Sequence, residues 1–165
     1  MDVEDASSAP TSGVTWPSRP TTDAAPAAGG TTMKFVLLVH STPQPWGHPT
    51  GDFVAEHQAL PAEQRRQMET DFEALLTEMQ ERGEFVTAEA LGDPASSRLF
   101  RWADGEPIAT DGPYAETKEQ FAGYFLIDVV DRDRAEELGR RFAGPGETIE
   151  LRPLMWPGGE EQNVG

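Results

Sequence analysis

The sequence has no cysteine and few basic residues, and each shortage excludes a class of function. Without cysteine, the 165-residue chain has no disulfide framework, thiolate metal site or thiol nucleophile. Lys+Arg total 13 against 29 Asp+Glu, and the net charge of -16 repels phosphate backbones and anionic bilayers. No apolar run has the length of a membrane span. We therefore expect a cytoplasmic protein with no nucleic-acid or membrane partner.

Apolar residues are concentrated in the middle of the chain and divide it into three segments. Residues 1–32 hold four prolines and no hydrophobic periodicity, which predicts either a disordered tail or a true translation start at Met33. Residues 33–156 carry periodic apolar patterns and form the predicted domain. Residues 157–165 are polar and predict a flexible C-terminal tail.

Hydrophobic patterns within the domain predict six strands and two helices. The helices start near Pro61 and Asp131 and end at Gly83 and Gly144. Residues 41–60, which include three prolines and two glycines, are predicted to be loop. The predicted strands are Lys34–His40, Phe85–Leu91, Arg98–Trp102, Glu106–Thr110, Phe121–Val130 and Thr148–Leu154.

The order of these elements predicts the fold class and the assembly. Strand, helix, strand, hairpin, strand, helix, strand is the order of an α+β, ferredoxin-like βαββαβ fold with an inserted β-hairpin. Two helices cover one face of a sheet, yet Lys34–His40 and Phe121–Val130 are apolar on both faces. A second copy of the same sheet is the simplest cover for the other face. We therefore predict a homodimer that pairs sheet to sheet.

One polar segment carries a family resemblance. Asp111-Gly112-Pro113-Tyr114 opens the turn-forming stretch TDGPYAETKE, which precedes the most apolar predicted strand. Together with the downstream Gly123–Asp128 and Glu150–Pro153, this stretch resembles the YCII-related family and its DGPF-motif subgroup, which usually has Phe at the position of Tyr114. The resemblance spans Met33 to Trp156. It implies a dimeric α/β barrel of ferredoxin-like domains that acts as a small enzyme or ligand binder.

The resemblance is incomplete in the first helix, where a histidine is missing, and it implies a partner protein. Some family members have a His–Asp pair in the dimer cleft, with the histidine in the first helix. This chain has Arg65, Arg66, Gln67 and Met68 in that region and no histidine in the helix. Members of the DGPF subgroup are often associated with extracytoplasmic-function sigma factors, which implies a regulatory or accessory role.

Two residues are candidates for a catalytic base. Glu89 lies on a predicted strand, on the face of Phe85 and Thr87, where partial burial would raise its pKa. The alternative is a carboxylate paired structurally with an arginine. His40 ends the first strand and would point into the barrel mouth of a dimer, whereas a strand-end histidine is often merely exposed.

The TDGPYAETKE segment supplies the candidate ligand-binding residues. Loops carry function more often than cores do, and this loop presents Asp111, Tyr114, Glu116 and Lys118. Lys118 would bind an anionic group or, alternatively, pair with Glu116. Asp111 would also serve as a turn former.

A cluster of metal-ligand residue types precedes the first helix. His48, Asp52, Glu56 and His57 fall within ten positions, but their spacing matches no recognised metal geometry. We predict no metal, and the absence of a Gly-rich phosphate-binding loop predicts no cofactor. The predicted function is binding of a small organic molecule, with cofactor-free, lyase-type or related acid–base chemistry. The alternative is a noncatalytic module that associates with a sigma factor or another protein.

Overall fold

The computed structural model describes residues 31–155, so the predicted segments 1–32 and 157–165 lie outside it, apart from Thr31 and Thr32. The chain forms β1 (Met33–Ser41), α1 (Ala55–Gln58), α2 (Ala62–Glu81), β2 (Phe85–Ala90), β3 (Arg98–Ala103), β4 (Glu106–Asp111), β5 (Gln120–Val129), α3 (Arg132–Phe142) and β6 (Glu147–Pro153). Most boundaries lie within one or two residues of those predicted from the sequence.

Four strands form an antiparallel sheet in the order β2-β5-β1-β6. Strands β3 and β4 pair with each other in a separate two-stranded antiparallel sheet. The mixed α+β fold with antiparallel sheets that the sequence predicted is therefore confirmed, and its order of elements is consistent with a ferredoxin-like fold.

The core lies between one face of the sheet and the helices. Side chains alternate across a strand, so Phe35 and Leu37 of β1 share this face and are fully buried. Helix α2 places its apolar residues three and four positions apart, as an amphipathic helix requires. The other buried members of this core are Leu75, Leu76, Met79, Phe125, Ile127, Val129, Ala135, Leu138 and Phe142.

The opposite face of the sheet, here called the rear face, is apolar in its centre. Val36 pairs with Leu126 and Leu38 pairs with Tyr124 across β1 and β5. All four side chains are only partly buried in the protomer. The rear face therefore retains apolar surface that the helices do not cover.

A buried ion cluster joins α3 to α2 and the residues after it. Arg134 donates to both carboxylate oxygens of Glu84, with N–O distances of 3.0 and 2.7 Å, and to Glu78 at 2.7 Å. The side chains of Arg134 and Glu84 are only 8% and 6% exposed. Asp131 caps the start of α3 by accepting from the Arg134 amide, as its position in the sequence indicated.

The segment before α2 corrects one prediction. Residues 41–60 are not loop throughout, because a 3₁₀ turn covers Thr50–Phe53 and α1 follows at Ala55–Gln58. The last proline of this segment is Pro49, so the following eleven residues are free to form helical turns. Val54 anchors the segment by being fully buried. Within residues 31–155, none of the helices has both the length and the apolar character needed to cross a bilayer.

Candidate functional site

A cleft of about 760 Å³ opens at one end of the domain, between the helices and the sheet face that they cover. Helix α2 lines it with residues at helical spacing, including Arg65, Glu69 and Phe72. The sheet contributes Val39 and Ile149. Segment 48–52, His57 and the residues after α3 complete the lining. A volume of this size is within the range of small-molecule sites.

Glu147 is the carboxylate held most deeply within this cleft. It is the first residue of β6 and pairs in register with the buried Ser41 of β1. The Thr50 hydroxyl donates to its Oε1 atom. Burial raises the pKa of the Glu147 carboxyl above its ordinary value, while the Thr50 hydrogen bond and the charge of His57 act in the opposite direction. The geometry therefore provides a carboxyl group that takes up a proton more readily than an exposed glutamate does.

The turn before Glu147 fits closely against segment 50–56. Gly146 has a φ of +77°, in the left-handed region that favours glycine. A Cβ at this position would lie 2.3 Å from Cγ1 of Val54 and 2.7 Å from Oε2 of Glu56. Only glycine permits this approach, so the wall of the cleft depends on Gly146.

The other end of the same wall is fixed to the sheet by two donors that share one acceptor. Trp46 donates its indole N–H to the carbonyl of Leu91 at 2.9 Å. The Nε2 atom of His48 also lies 2.9 Å from that carbonyl, and it donates when the proton resides on Nε2. The backbone around His48 is therefore held where it lines the cleft.

Two nitrogen atoms of cleft-lining residues have no hydrogen-bond partner in the described part of the chain. They are Nε of Arg65 and Nδ1 of His57, and both atoms are buried. Buried polar atoms nearly always have a partner, so these two atoms are exceptions that require an explanation.

The structure places Glu89 differently from the sequence prediction. A register shift between Phe85 and Thr87 separates their faces, because Phe85 pairs with Ile127 whereas Glu89 pairs with Tyr124. Glu89 is thus on the rear-face side of β2, and it is exposed rather than partly buried. It borders the cleft only at the end of its strand. The expected burial is not observed because the irregular pairing reverses the alternation of side chains.

His40 lies on the rear face and outside the cleft lining. Its Nε2 atom is 3.0 Å from Oε2 of Glu150, and its ring is 5.9 Å from that of Phe121. Hydrogen bonds from Arg152 and then from His40 lower the pKa of the Glu150 carboxyl. Within one protomer, His40 therefore belongs to a hydrogen-bonded pair with Glu150 on the rear face, outside the cleft that contains Glu147.

The predicted ligand-binding residues are spread over an exposed surface of the protomer. Asp111, Tyr114, Glu116 and Lys118 are all exposed, and none of them lines the cleft. Asp111 lies 3.9 Å from Arg98, and the Arg101 guanidinium lies 5.7 Å from the centre of the Tyr114 ring. Of the predicted catalytic and ligand-binding residues, only Glu89 borders the cleft.

The residues with metal-ligand side chains are also separated. Among residues 31–155, no three His, Asp or Glu side chains are gathered as a metal ion would require. His48 is directed to Leu91, whereas Asp52 and His57 line the cleft.

Sequence reasoning missed Glu147, Thr50 and Arg65 as site residues. Thr50 and Glu147 are 97 positions apart, so no local motif joins them. Arg65 was noted only as a place where a histidine was missing. The usable signal was the Gly-Pro-Gly turn before Glu147, because a glycine that needs a left-handed φ often marks a close approach of two segments.

Comparison with known proteins agrees with the sequence resemblance at the level of the family. Residues 33–151 match the YCII-related domain. An uncharacterized protein of Rhizobium meliloti (strain 1021) is 33% identical over 87 residues, which cover 51% of this chain and 70% of that protein. The family match spans all six strands and the helices between them, except for the last two residues of β6. The chain therefore belongs to the YCII-related domain family.

Proposed function

We propose that the protein binds a small organic molecule in the cleft and carries out cofactor-free acid–base chemistry on it, with Glu147 as the proton-transferring group. The observation that carries this proposal is the burial of the Glu147 carboxyl in a cleft of about 760 Å³, which raises its pKa. A general base acts best when its pKa is near the working pH, and burial moves a glutamate in that direction.

The surroundings of Glu147 suit transfer of a proton to or from a bound molecule. Thr50 holds one carboxylate oxygen, which orients the group. Apolar side chains in the lining, such as Phe72, Phe142 and Ile149, offer surface to an organic ligand and limit access of water. Abstraction of a proton from carbon by the carboxylate and its return to another atom of the same molecule would give isomerase-type chemistry. For lyase-type chemistry, the electron pair of the broken C–H bond would form a double bond as the bond to a leaving group breaks, and the protonated Glu147 would return the proton to that leaving group.

The test is exchange of ligand protons with solvent. Ligands found by thermal-shift screening are incubated with the protein in D2O, and deuterium uptake is followed by NMR. Glu147→Gln is expected to lower the exchange rate about 10²–10⁴-fold, the usual contribution of a general base. Equal rates in wild type and variant would overturn the assignment.

Glu89 and His40 remain the competing assignments for the base. Glu89→Gln and His40→Ala are compared in the same exchange experiment, because Glu89 is an exposed carboxylate at the border of the cleft and His40 lies outside its lining. The present proposal expects both variants to retain wild-type exchange. A rate lost in either of them and retained in Glu147→Gln would transfer the catalytic role to that residue.

We further propose that the protein is a homodimer paired through the rear face. The support is the half-exposed apolar centre formed by Val36, Leu38, Tyr124 and Leu126. In such a dimer His40 and the segment from Asp111 to Lys118 would approach residues of the second copy. Light scattering at micromolar concentration tests this assembly, and a monomer mass would contradict it. Leu38→Glu is expected to yield monomers.

The second candidate function is an accessory module of the DGPF subgroup that binds a protein such as a sigma factor. The Asp111-Gly112-Pro113-Tyr114 motif supports the subgroup. The specific observation is the β3–β4 hairpin, whose Phe100 and Trp102 are 74% and 75% exposed. Calorimetry with a purified extracytoplasmic-function sigma factor tests this role. Binding that is lost in a Phe100→Ser, Trp102→Ser variant would favour it over the enzyme.

A further inference from the structure

Arg65 differs from every other arginine between residues 31 and 155. Each of the others has a carboxylate or an aromatic ring as a partner, whereas the structure gives Arg65 no ion pair. The chain has 29 acidic residues for 13 basic ones, so a carboxylate partner is easily found for most arginines. An arginine that is half-buried beside a cleft and has an unpartnered Nε atom is therefore unexpected.

The neighbouring arginines of the cleft show the usual arrangement. Arg66 pairs with Glu63 on the exposed side of α2. Arg141 donates to Glu78 at 2.8 Å. Both side chains line the cleft, but their charges are already satisfied by the protein. Arg65 alone among the three has no carboxylate partner, so its charge is left to a bound group.

His57 adds a second unpartnered nitrogen to the same cleft. Its Nδ1 atom is buried and without a hydrogen-bond partner, and its charge is close enough to Glu147 to lower that carboxyl's pKa. A guanidinium and an imidazole left unpaired in one cleft share one chemistry, because both donate to an oxyanion. The cost of leaving them unsatisfied disappears when such a group binds.

We propose that the ligand of the cleft is a small organic carboxylate, whose anionic group is bound by Arg65 with His57 as a further donor. This inference rests on the proposed function and names the substrate class of the same site. The planar guanidinium matches the two oxygens of a carboxylate. The apolar lining around Phe72 and Ile149 accommodates the body of an organic acid.

The acidic residues of the lining favour a carboxylate ligand over a phosphate ligand. Asp52, Glu69, Asp71 and Glu89 also border the cleft, but they are exposed, so solvent and salt weaken their repulsion. Glu147 is closer to the interior and would repel a dianion more strongly than a monoanion. A singly charged group attached to an apolar body therefore fits better than inorganic phosphate or a phosphate ester.

The experiment compares phenylacetate with its neutral isostere phenylacetamide, and with inorganic phosphate, by calorimetry and thermal shift. We expect wild type to bind phenylacetate at least tenfold more tightly than phenylacetamide. Arg65→Gln should lose about tenfold or more in affinity for phenylacetate, as expected for a charge-assisted pair, and bind phenylacetamide unchanged. Arg140→Gln is the control, because Arg140 lies outside the cleft lining in an exposed pair with Glu136, and it should bind both compounds as wild type does. Arg65→Lys, which keeps the charge, should bind phenylacetate with intermediate affinity.

The outcomes separate this inference from the proposed function. Equal binding of the acid and the amide, unchanged binding by Arg65→Gln, or tighter binding of phosphate would overturn the carboxylate assignment while leaving a small-molecule cleft. If none of these probes and no neutral metabolite binds at millimolar concentration, the proposed function and this inference both fail.

Discussion

Two regions of the molecule bury charged groups, and they do so in opposite ways. Around Arg134 each buried group has a partner, since the guanidinium binds both oxygens of Glu84 and one of Glu78. In the cleft, Arg65 and His57 retain buried nitrogen atoms without partners, and Glu147 keeps a raised pKa. The first arrangement holds α3 against the rest of the domain. The second leaves bonding capacity for something outside the chain.

In a strongly acidic protein, this contrast separates structural charges from functional ones. Proximity of opposite charges is not informative where acidic residues are abundant. Whether the partners satisfy each other is informative, because an incompletely satisfied buried group costs stability and is retained only when another role compensates.

The largest expected effect comes from breaking the fully paired region. Arg134→Met removes the buried cation of Glu84 and leaves it only the largely exposed Arg82, so we expect a loss of about 3 kcal/mol in the free energy of unfolding, the lower end of the effect of breaking a buried ion pair. Urea denaturation measures it. Arg140→Met is the control, because Arg140 forms an exposed pair with Glu136 on the same helix and should cost no more than about 1 kcal/mol. Equal losses would show that the Arg134 cluster is not a structural centre.

The next effect concerns the wall of the cleft. Gly146→Ala introduces a left-handed alanine, which costs about 1–2 kcal/mol, and adds a Cβ that overlaps Val54. Gly105→Ala is the matched control, since Gly105 has a φ of +85° but nothing within 4 Å of its Cβ position. We expect Gly146→Ala to be the more destabilising and to weaken ligand-induced stabilisation. Similar unfolding free energies would remove the argument for close packing.

A smaller effect is expected in the pH dependence of the free energy of unfolding, which should differ between the two regions. The raised pKa of Glu147 means that stability increases as pH falls toward its ordinary value of 4.5. Hydrogen bonds from Arg141 and then Arg134 lower the pKa of Glu78, so its contribution is present above 4.5 and is lost as pH falls further. Glu147→Gln should abolish the gain above 4.5, and Glu78→Gln should reduce the loss below it. Unfolding free energies measured across this range would contradict the assignment if the two variants had the same profile.

The smallest effect is expected at the hairpin. Trp102→Ser removes a side chain that is 75% exposed, so the free energy of unfolding should change by no more than about 0.5 kcal/mol. A larger loss, measured by urea denaturation at low and high protein concentration, would show that Trp102 packs against the domain or a second copy. Gly105, at the tip of the same hairpin, is the position of the Gly105→Ala control for Gly146→Ala.

The fold was largely predictable because its signals are local. Continuous apolar runs located β1 and β5, Asp131 marked the start of α3, and Gly83 marked the end of α2. The site was not, because its contacts join distant positions. Thr50 and Glu147 are 97 residues apart, and nothing near either of them in sequence indicates the other. Glu89 was misplaced because a single irregular pairing in β2 changes the face of every residue after it.

The hydrogen bonds of the short segment from Trp46 to Thr50 connect the two outer strands of the sheet. The segment is tied to Leu91, just beyond β2, and to Glu147 in β6, which are the two outer strands of the four-stranded sheet. Edge strands ordinarily fray independently, since each has a free side. Here one segment is hydrogen-bonded next to both outer strands, so opening of one edge of the sheet removes a constraint on the other edge. Amide exchange rates in β2 and β6 should therefore change together, and a ligand that binds in the cleft between these strands should lower both rates.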